Sequence, residues 1–131
     1  MNENRKVYNY FGRLVFEGEY LNGKKNGKGK KYDKMYGKLR YDGYYLNGKK
    51  NGKGKEYSYA GKIIYEGEYL NGERNGKGKE FDNLQGNLIF EGEFLNGKRN
   101  GKGKEYYIED DKLIFKGEYL NGERWNGNWD E

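Results

Sequence analysis

The sequence predicts an all-β fold: an elongated, single-layer antiparallel meander of tandem β-hairpins with about eleven strands. Three observations predict it. The first is an internal period. Phe16-Glu17-Gly18, Tyr41-Asp42-Gly43, Tyr65-Glu66-Gly67, Phe90-Glu91-Gly92 and Phe115-Lys116-Gly117 recur at offsets of 25, 24, 25 and 25 residues. The second is alternation within each unit. Leu14, Phe16, Gly18 and Tyr20 point one way, and Val15, Glu17, Glu19 and Leu21 the other. A period of two gives a strand with one apolar face. The third is punctuation: 23 glycines at fixed positions and no proline, a pattern that suits tight turns and sheets better than helices.

Each unit reads as one hairpin. The aromatic after the glycine (Tyr20, Tyr45, Tyr69, Phe94, Tyr119) leads into Leu-Asn-Gly. Asn and Gly tolerate positive φ and so favour turns. Four copies continue as Asn-Gly-Lys-Gly-Lys from Asn26, Asn51, Asn75 and Asn100, so a short second strand such as 28–32 is expected, then a turn near Gly37. A glycine inside a strand leaves a gap that a neighbouring ring can cover. This assigns structural roles to Phe16, Gly18, Tyr20; Tyr41, Gly43, Tyr45; Tyr65, Gly67, Tyr69; Phe90, Gly92, Phe94; and Phe115, Gly117, Tyr119. The other face pairs Glu17 and Glu19 with Lys28 and Lys30. Strict alternation puts Tyr32 on that charged face unless a bulge intervenes.

The ends are atypical, as the ends of a repeat array must be. Residues 1–13 are a half-repeat and capping strand, because Lys6-Val7-Tyr8 aligns with Lys55-Glu56-Tyr57. Repeats 1 to 4 span 14–38, 39–62, 63–87 and 88–112. A partial fifth repeat, 113–131, carries two tryptophans read as a cap: Trp125, inserted in the loop, and Trp129, aligned with Gly29, Gly54, Gly78 and Gly103. The whole forms one repeat domain.

Composition narrows function. Leu, Ile, Val and Phe total 23 of 131 residues, a thin aliphatic supply, but 15 Tyr add apolar surface and the net charge is only +5. The chain therefore folds. It has no Cys, His or Thr and a single Ser, Ser58, which leaves little material for nucleophilic catalysis. Gly23-Lys24-Lys25-Asn26-Gly27-Lys28-Gly29 lacks the spacing and Lys-Ser/Thr ending of a phosphate loop. Glu109, Asp110 and Asp111 lack the spaced ligands of a calcium loop. The Glu17/Glu19 pair recurs as Glu66/Glu68 and Glu91/Glu93, as a charge ladder does and an acid–base pair does not. No catalytic, metal or cofactor site is expected. No apolar run is long enough for a membrane span or a signal core, so an intracellular location, cytoplasmic or peripheral at a membrane and not secreted, is expected.

The motif Tyr/Phe-x-Gly-x-Tyr/Phe, a short Asn-Gly loop and Gly-x-Gly resembles the MORN repeat, from Lys6 to Trp129. The turns at 33–37 and 107–111 make the units slightly long. The resemblance implies an elongated sheet of hairpins acting as a scaffold, a partner-binding module or a membrane-associating module.

A protein partner bound through the sheet surface or a basic loop edge is the expected function, with peripheral binding to anionic phospholipid as the alternative. Nucleic acid is disfavoured because the rings are committed to the sheet. The loop edge carries Lys24, Lys25, Lys49, Lys50, Arg74, Lys98, Arg99 and Arg124 against Glu73 and Glu123, a net of +6. These loops, about 10 Å apart, form the candidate partner or anion rim. The other edge nets −1. A monomer or a C-terminal end-to-end dimer is expected.

Overall fold

The Leu-Asn-Gly segments close two-residue turns, and everything else in the architecture follows from where those turns fall. Asn22 (φ 52°) and Gly23 (φ 79°) both adopt positive φ, and Asn47, Asn71, Asn96 and Asn121 repeat the geometry. That is the turn whose twist matches a hairpin. In the computed structural model, which describes residues 2–127, eleven strands result. They are β1 (Glu3–Tyr8), β2 (Leu14–Leu21), β3 (Lys24–Tyr32), β4 (Leu39–Leu46), β5 (Lys49–Tyr57), β6 (Ile63–Leu70), β7 (Glu73–Phe81), β8 (Leu88–Leu95), β9 (Lys98–Tyr106), β10 (Leu113–Leu120) and β11 (Glu123–Gly127). They form one open sheet in sequence order, each antiparallel to the next. The all-β meander expected from the sequence is the fold observed. β1 pairs with β2 in the half-repeat register, Lys6 opposite Glu17 as Lys55 is opposite Glu66.

At the other edge, one side chain at the first position organises four of the five turns; the turn that begins at Tyr107 has instead a bond from the Lys112 N–H to Asp110. The Asp33 carboxylate accepts from the backbone N–H of Met35, Tyr36 and Lys38 at 2.9, 2.6 and 2.7 Å. Asp82 does the same for Leu84, Gln85 and Asn87, Asn9 for Phe11 and Arg13, and the Ser58 hydroxyl for Lys62.

Two details correct the sequence reading. The second strand does not wait for Lys28; β3 starts at Lys24, and the second Asn-Gly pair lies inside it as a bulge. Between Tyr20↔Lys25 and Gly18↔Gly29, residues 26–28 face Glu19 alone. Gly27 absorbs the excess at φ 104°, where a side chain is strained. In the equivalent bulges the Glu68 and Glu93 carboxylates accept from the Lys77 and Lys102 N–H at 3.1 and 2.8 Å. Second, Gly127, not Trp129, pairs with Gly117, because only Trp125 is extra between Arg124 and Asn126. Trp129 lies outside the described residues; Trp125 sits in that bulge, 65% exposed.

The core is a crease rather than an interior. Gly18, Gly29, Gly43, Gly54, Gly67, Gly78, Gly92, Gly103, Gly117 and Gly127 stand directly opposite one another across ten strands. Rings lie over this bare backbone. Tyr20, Phe16, Tyr45, Tyr41, Tyr69, Tyr65, Phe94, Phe90, Tyr119 and Phe115 form one file of edge-to-face pairs, centroids 5.1–5.7 Å apart. This is the favoured geometry for ring quadrupoles.

The opposite face carries a charge row: Lys6, Glu17, Lys30, Asp42, Lys55, Glu66, Lys79, Glu91, Lys104. A register shift does occur beside Tyr32, yet the equivalent Tyr106 stays on the charged face and donates to Glu91 at 2.6 Å. Burial and that carboxylate push its phenol up to about 12.

Candidate functional site

The eight cations expected on the loop rim divide into two sets. Lys24, Lys49 and Lys98 open their strands at the exposed tips, beside Glu73 and Glu123 at the equivalent positions. Lys25, Lys50, Arg74, Arg99 and Arg124 are the next residues, and alternation turns them onto the aromatic face. There they cap the ring file. Their charged ends lie 4.2, 4.6, 4.3, 4.2 and 4.7 Å from the centroids of Phe16, Tyr41, Tyr65, Phe90 and Phe115, within cation–π range.

Between these cations the same face carries the residue two beyond each second-strand glycine: Lys31, Glu56, Glu80 and Glu105. From repeat 2 onward this builds an alternating ladder. Arg74 bridges Glu56 at 2.9 Å and Glu80 at 3.1 Å; Arg99 bridges Glu80 at 2.6 Å and reaches Glu105 at 3.8 Å; Arg124 pairs with Glu105 at 2.7 Å. The Tyr69 hydroxyl donates to Glu56, and Tyr119 to Glu105. Burial alone would raise the Glu56 carboxyl; the bonds from Arg74 and Tyr69 outweigh it and hold the group below the usual carboxylate range. At Glu105, Arg124 and Tyr119 outweigh burial in the same way.

The ladder breaks at its start. Lys31 stands where the later repeats hold glutamate, so Lys25, Lys31 and Lys50 follow one another with no carboxylate between them. Burial, then the charge of Lys31, lowers the Lys25 ammonium from its ordinary value. Burial lowers Lys50 too; Glu56 opposes this, while Lys31, Arg74 and Arg40 add to it. A second departure lies nearby: Arg40 occupies the position of Val15, Ile64, Ile89 and Ile114. Its guanidinium stacks 4.0 Å over Tyr59, and its Nη1 is buried without a partner. The Tyr45 hydroxyl, equivalent to that of Tyr69, is likewise buried and unpartnered. Lys25, Lys31, Arg40 and Lys50 line an open groove of about 680 Å³, together with Tyr59 and Met35 of the adjoining turns.

Sequence reasoning grouped Lys25 and Lys50 with the rim and passed over Lys31, Arg40 and Tyr45 as a set. The signal was present: aligning the repeats with one another isolates Lys among glutamates at position 31 and Arg among aliphatics at position 40.

A family model for the MORN repeat matches residues 16–38, 41–62, 65–83 and 90–111, well over half of the chain. The chain belongs to the MORN-repeat family. No curated protein matches the sequence. MORN repeats form a family of non-enzymatic repeat scaffolds implicated in protein or membrane binding. The fifth MORN-like hairpin, β10–β11, lies outside the matched segments yet continues the glycine row and the ring file.

The ladder of this MORN array and two of its turns set the acid response. Glu56 and Glu105 have depressed folded-state pKa values, as do Asp33 and Asp82, whose carboxylates accept chiefly from the Tyr36 and Gln85 N–H groups. A depressed carboxylate stabilises the fold above its unfolded pKa, about 4, and that contribution disappears as pH falls through the lower folded value. The melting temperature should stay level from pH 7 to about 5 and then fall steeply. Circular-dichroism melts across this range check it; an unchanged melting temperature at pH 2 would show that folding does not favour these ionised carboxylates.

Proposed function

We propose that this MORN-repeat protein is a non-catalytic scaffold that binds a protein partner through its sheet surface, at the aromatic face and the adjoining turn edge. One observation carries the reading. The turn edge holds out a row of large apolar side chains: Tyr10 at 96% exposure, Phe11 at 87%, Leu84 at 79%, and Met35, Tyr36 and Tyr59, all more than half exposed. They contribute little to the fold and cost solubility, the usual mark of an interaction surface. The loop edge offers leucines exposed to about half, such as Leu46 and Leu70. The absence of Cys and His supports a non-catalytic role, as does the engagement of the lone Ser58 hydroxyl in its own turn.

Peripheral binding to anionic membrane is the second reading, and it rests on the tips Lys24, Lys49 and Lys98. Glu73 and Glu123 interrupt that row, so the tips alone give a net of +1 rather than a uniform basic rim.

The test is affinity capture with the chain as bait, set beside a variant with Tyr10, Phe11, Met35 and Tyr36 all changed to Ser. A partner identified with the wild type and lost with the variant is the expected result. Retention of every partner by the variant rejects the turn edge. Co-sedimentation with phosphatidylserine vesicles that fades with salt, and that disappears when Lys24, Lys49 and Lys98 become Glu, would put the membrane reading in its place.

A further inference from the structure

We infer that the groove over repeats 1 and 2 binds a carboxylate from an acidic segment of a protein partner, in the place where later repeats hold their own glutamate. This rests on the protein-scaffold reading and adds the chemistry of the partner.

Glu56 stands opposite Tyr41 and Tyr65, and Glu80 opposite Tyr65 and Phe90. Lys31 holds the same seat opposite Phe16 and Tyr41. Each glutamate seat is built to receive negative charge. One cation comes from the glutamate's own strand and one from the second strand of the next hairpin, as Arg74 and Arg99 do for Glu80, and a phenol donates where the ring is tyrosine, as Tyr69 does to Glu56. At the Lys31 seat these donors are all present and the acceptor is missing. Lys25 and Lys50 flank it. Tyr45 is 6% exposed, and its hydroxyl has no partner. A buried, unsatisfied polar atom is costly, and here two of them, Tyr45 Oη and Arg40 Nη1, gather beside Lys25, Lys31 and Lys50. The two carboxylates that line the groove are already engaged, Glu56 by Arg74, Tyr69 and the charge of Lys50, and Asp33 by the N–H groups of its own turn. Tyr45 adjoins the groove through Phe16, 5.3 Å away between centroids, and through Lys25, whose Nζ lies 5.5 Å above the Tyr45 ring.

Charge complementarity calls for an anion, and the neighbouring seats specify which. The chain fills the equivalent seat three times, at Glu56, Glu80 and Glu105, and each time with a carboxylate that meets a flanking arginine. The walls specify the carrier. Met35 and Tyr59 flank the groove and are more than half exposed. A peptide presenting Asp or Glu covers these apolar flanks while its carboxylate meets the cations. The Lys31 ammonium then becomes a partner to the incoming charge instead of a third repelling cation, and charge-assisted bonds of this kind are the strong ones.

The probe is a fluorescein-labelled hexaglutamate peptide, read by fluorescence anisotropy at low salt. The wild type should bind it. Lys31→Glu installs the chain's own carboxylate in the seat, so binding should weaken by about tenfold or more, on the scale of one lost charge-assisted contact. The melting temperature should meanwhile stay at or above that of the wild type, which separates loss of the site from loss of the fold. Lys24→Glu removes the same charge from an exposed tip and should change affinity by no more than about twofold, since exposed charges are screened. Arg40→Ile, which restores the residue type of the other repeats, should also weaken binding.

Equal losses from Lys24→Glu and Lys31→Glu would reduce the effect to net charge and overturn the site. Failure of the wild type to bind hexaglutamate would overturn it as well. Displacement of the peptide by inorganic phosphate more readily than by acetate, at matched ionic strength, would reassign the groove to phosphate and overturn the carboxylate. If hexaglutamate fails while the turn-edge variant still loses its captured partner, the scaffold stands and only this site falls.

Discussion

Gly67→Val should be among the most damaging single changes in this protein, costing about 3 kcal/mol or more, beyond the usual range for overpacking. A Cβ on Gly67 falls 2.5 Å from the Gly78 Cα, 2.6 Å from the Lys77 carbonyl oxygen and 2.6 Å from the Tyr65 hydroxyl. Two of these three neighbours are backbone. A side chain can swing aside, but the Gly67–Gly78 pair can part only if the strands separate. The third neighbour is no easier to move, because the Tyr65 hydroxyl is tied to the Glu68 carbonyl at 3.0 Å. Glu73→Val, at an exposed position that opens β7, should cost little. Urea denaturation of both variants makes the comparison; equal costs would contradict the account of rings seated on bare backbone.

Phe90→Ala should cost about 3–5 kcal/mol, the range for a buried ring. Phe90 is fully buried, makes edge-to-face contacts with Phe94 and Tyr119, and carries Arg99 above it. A single-layer sheet has no second layer to collapse into the space, so the cavity persists, opens to solvent, and exposes Gly92 and Gly103 beneath. Because each hairpin touches mainly its neighbours, the loss should be concentrated there. Amide hydrogen exchange should quicken in β8, β9 and β10 well before β2 and β3. Uniform acceleration along the chain would instead mean that the array unfolds as one unit. Tyr44→Ala, on the other face and 44% exposed, provides the comparison of small effect.

The fold was legible because the period and the alternation are local signals repeated five times, so that each copy checks the others. The start of the second strand was not. Asn22-Gly23 and Asn26-Gly27 are the same dipeptide, and only pairing decides that the first is a turn and the second a bulge. Composition gives no hint that Glu68 and Glu93 hold the equivalent bulges. The same uncertainty in register placed Trp129 in the glycine row, where Gly127 stands. The rim misled for a related reason. Lys24 and Lys25 are adjacent and of one sign, but alternation sends them to different places, one to solvent and one over Phe16. Counting charge along the chain cannot separate them; counting it by face can. The groove went unread because the repeats were compared for what they share, while the site is made of the positions where repeats 1 and 2 differ from the rest.

Each ring in the file touches only the ring before it and the ring after it, and every unit returns the chain to its starting direction at the same spacing. Nothing at one end of the sheet therefore registers how far away the other end is. Length is a free variable here: a unit such as 63–87 can be gained or lost with Gly54 meeting Gly92 as it now meets Gly67. Position along the array is marked only where a unit departs from its siblings, and repeats 1 and 2 carry such a mark.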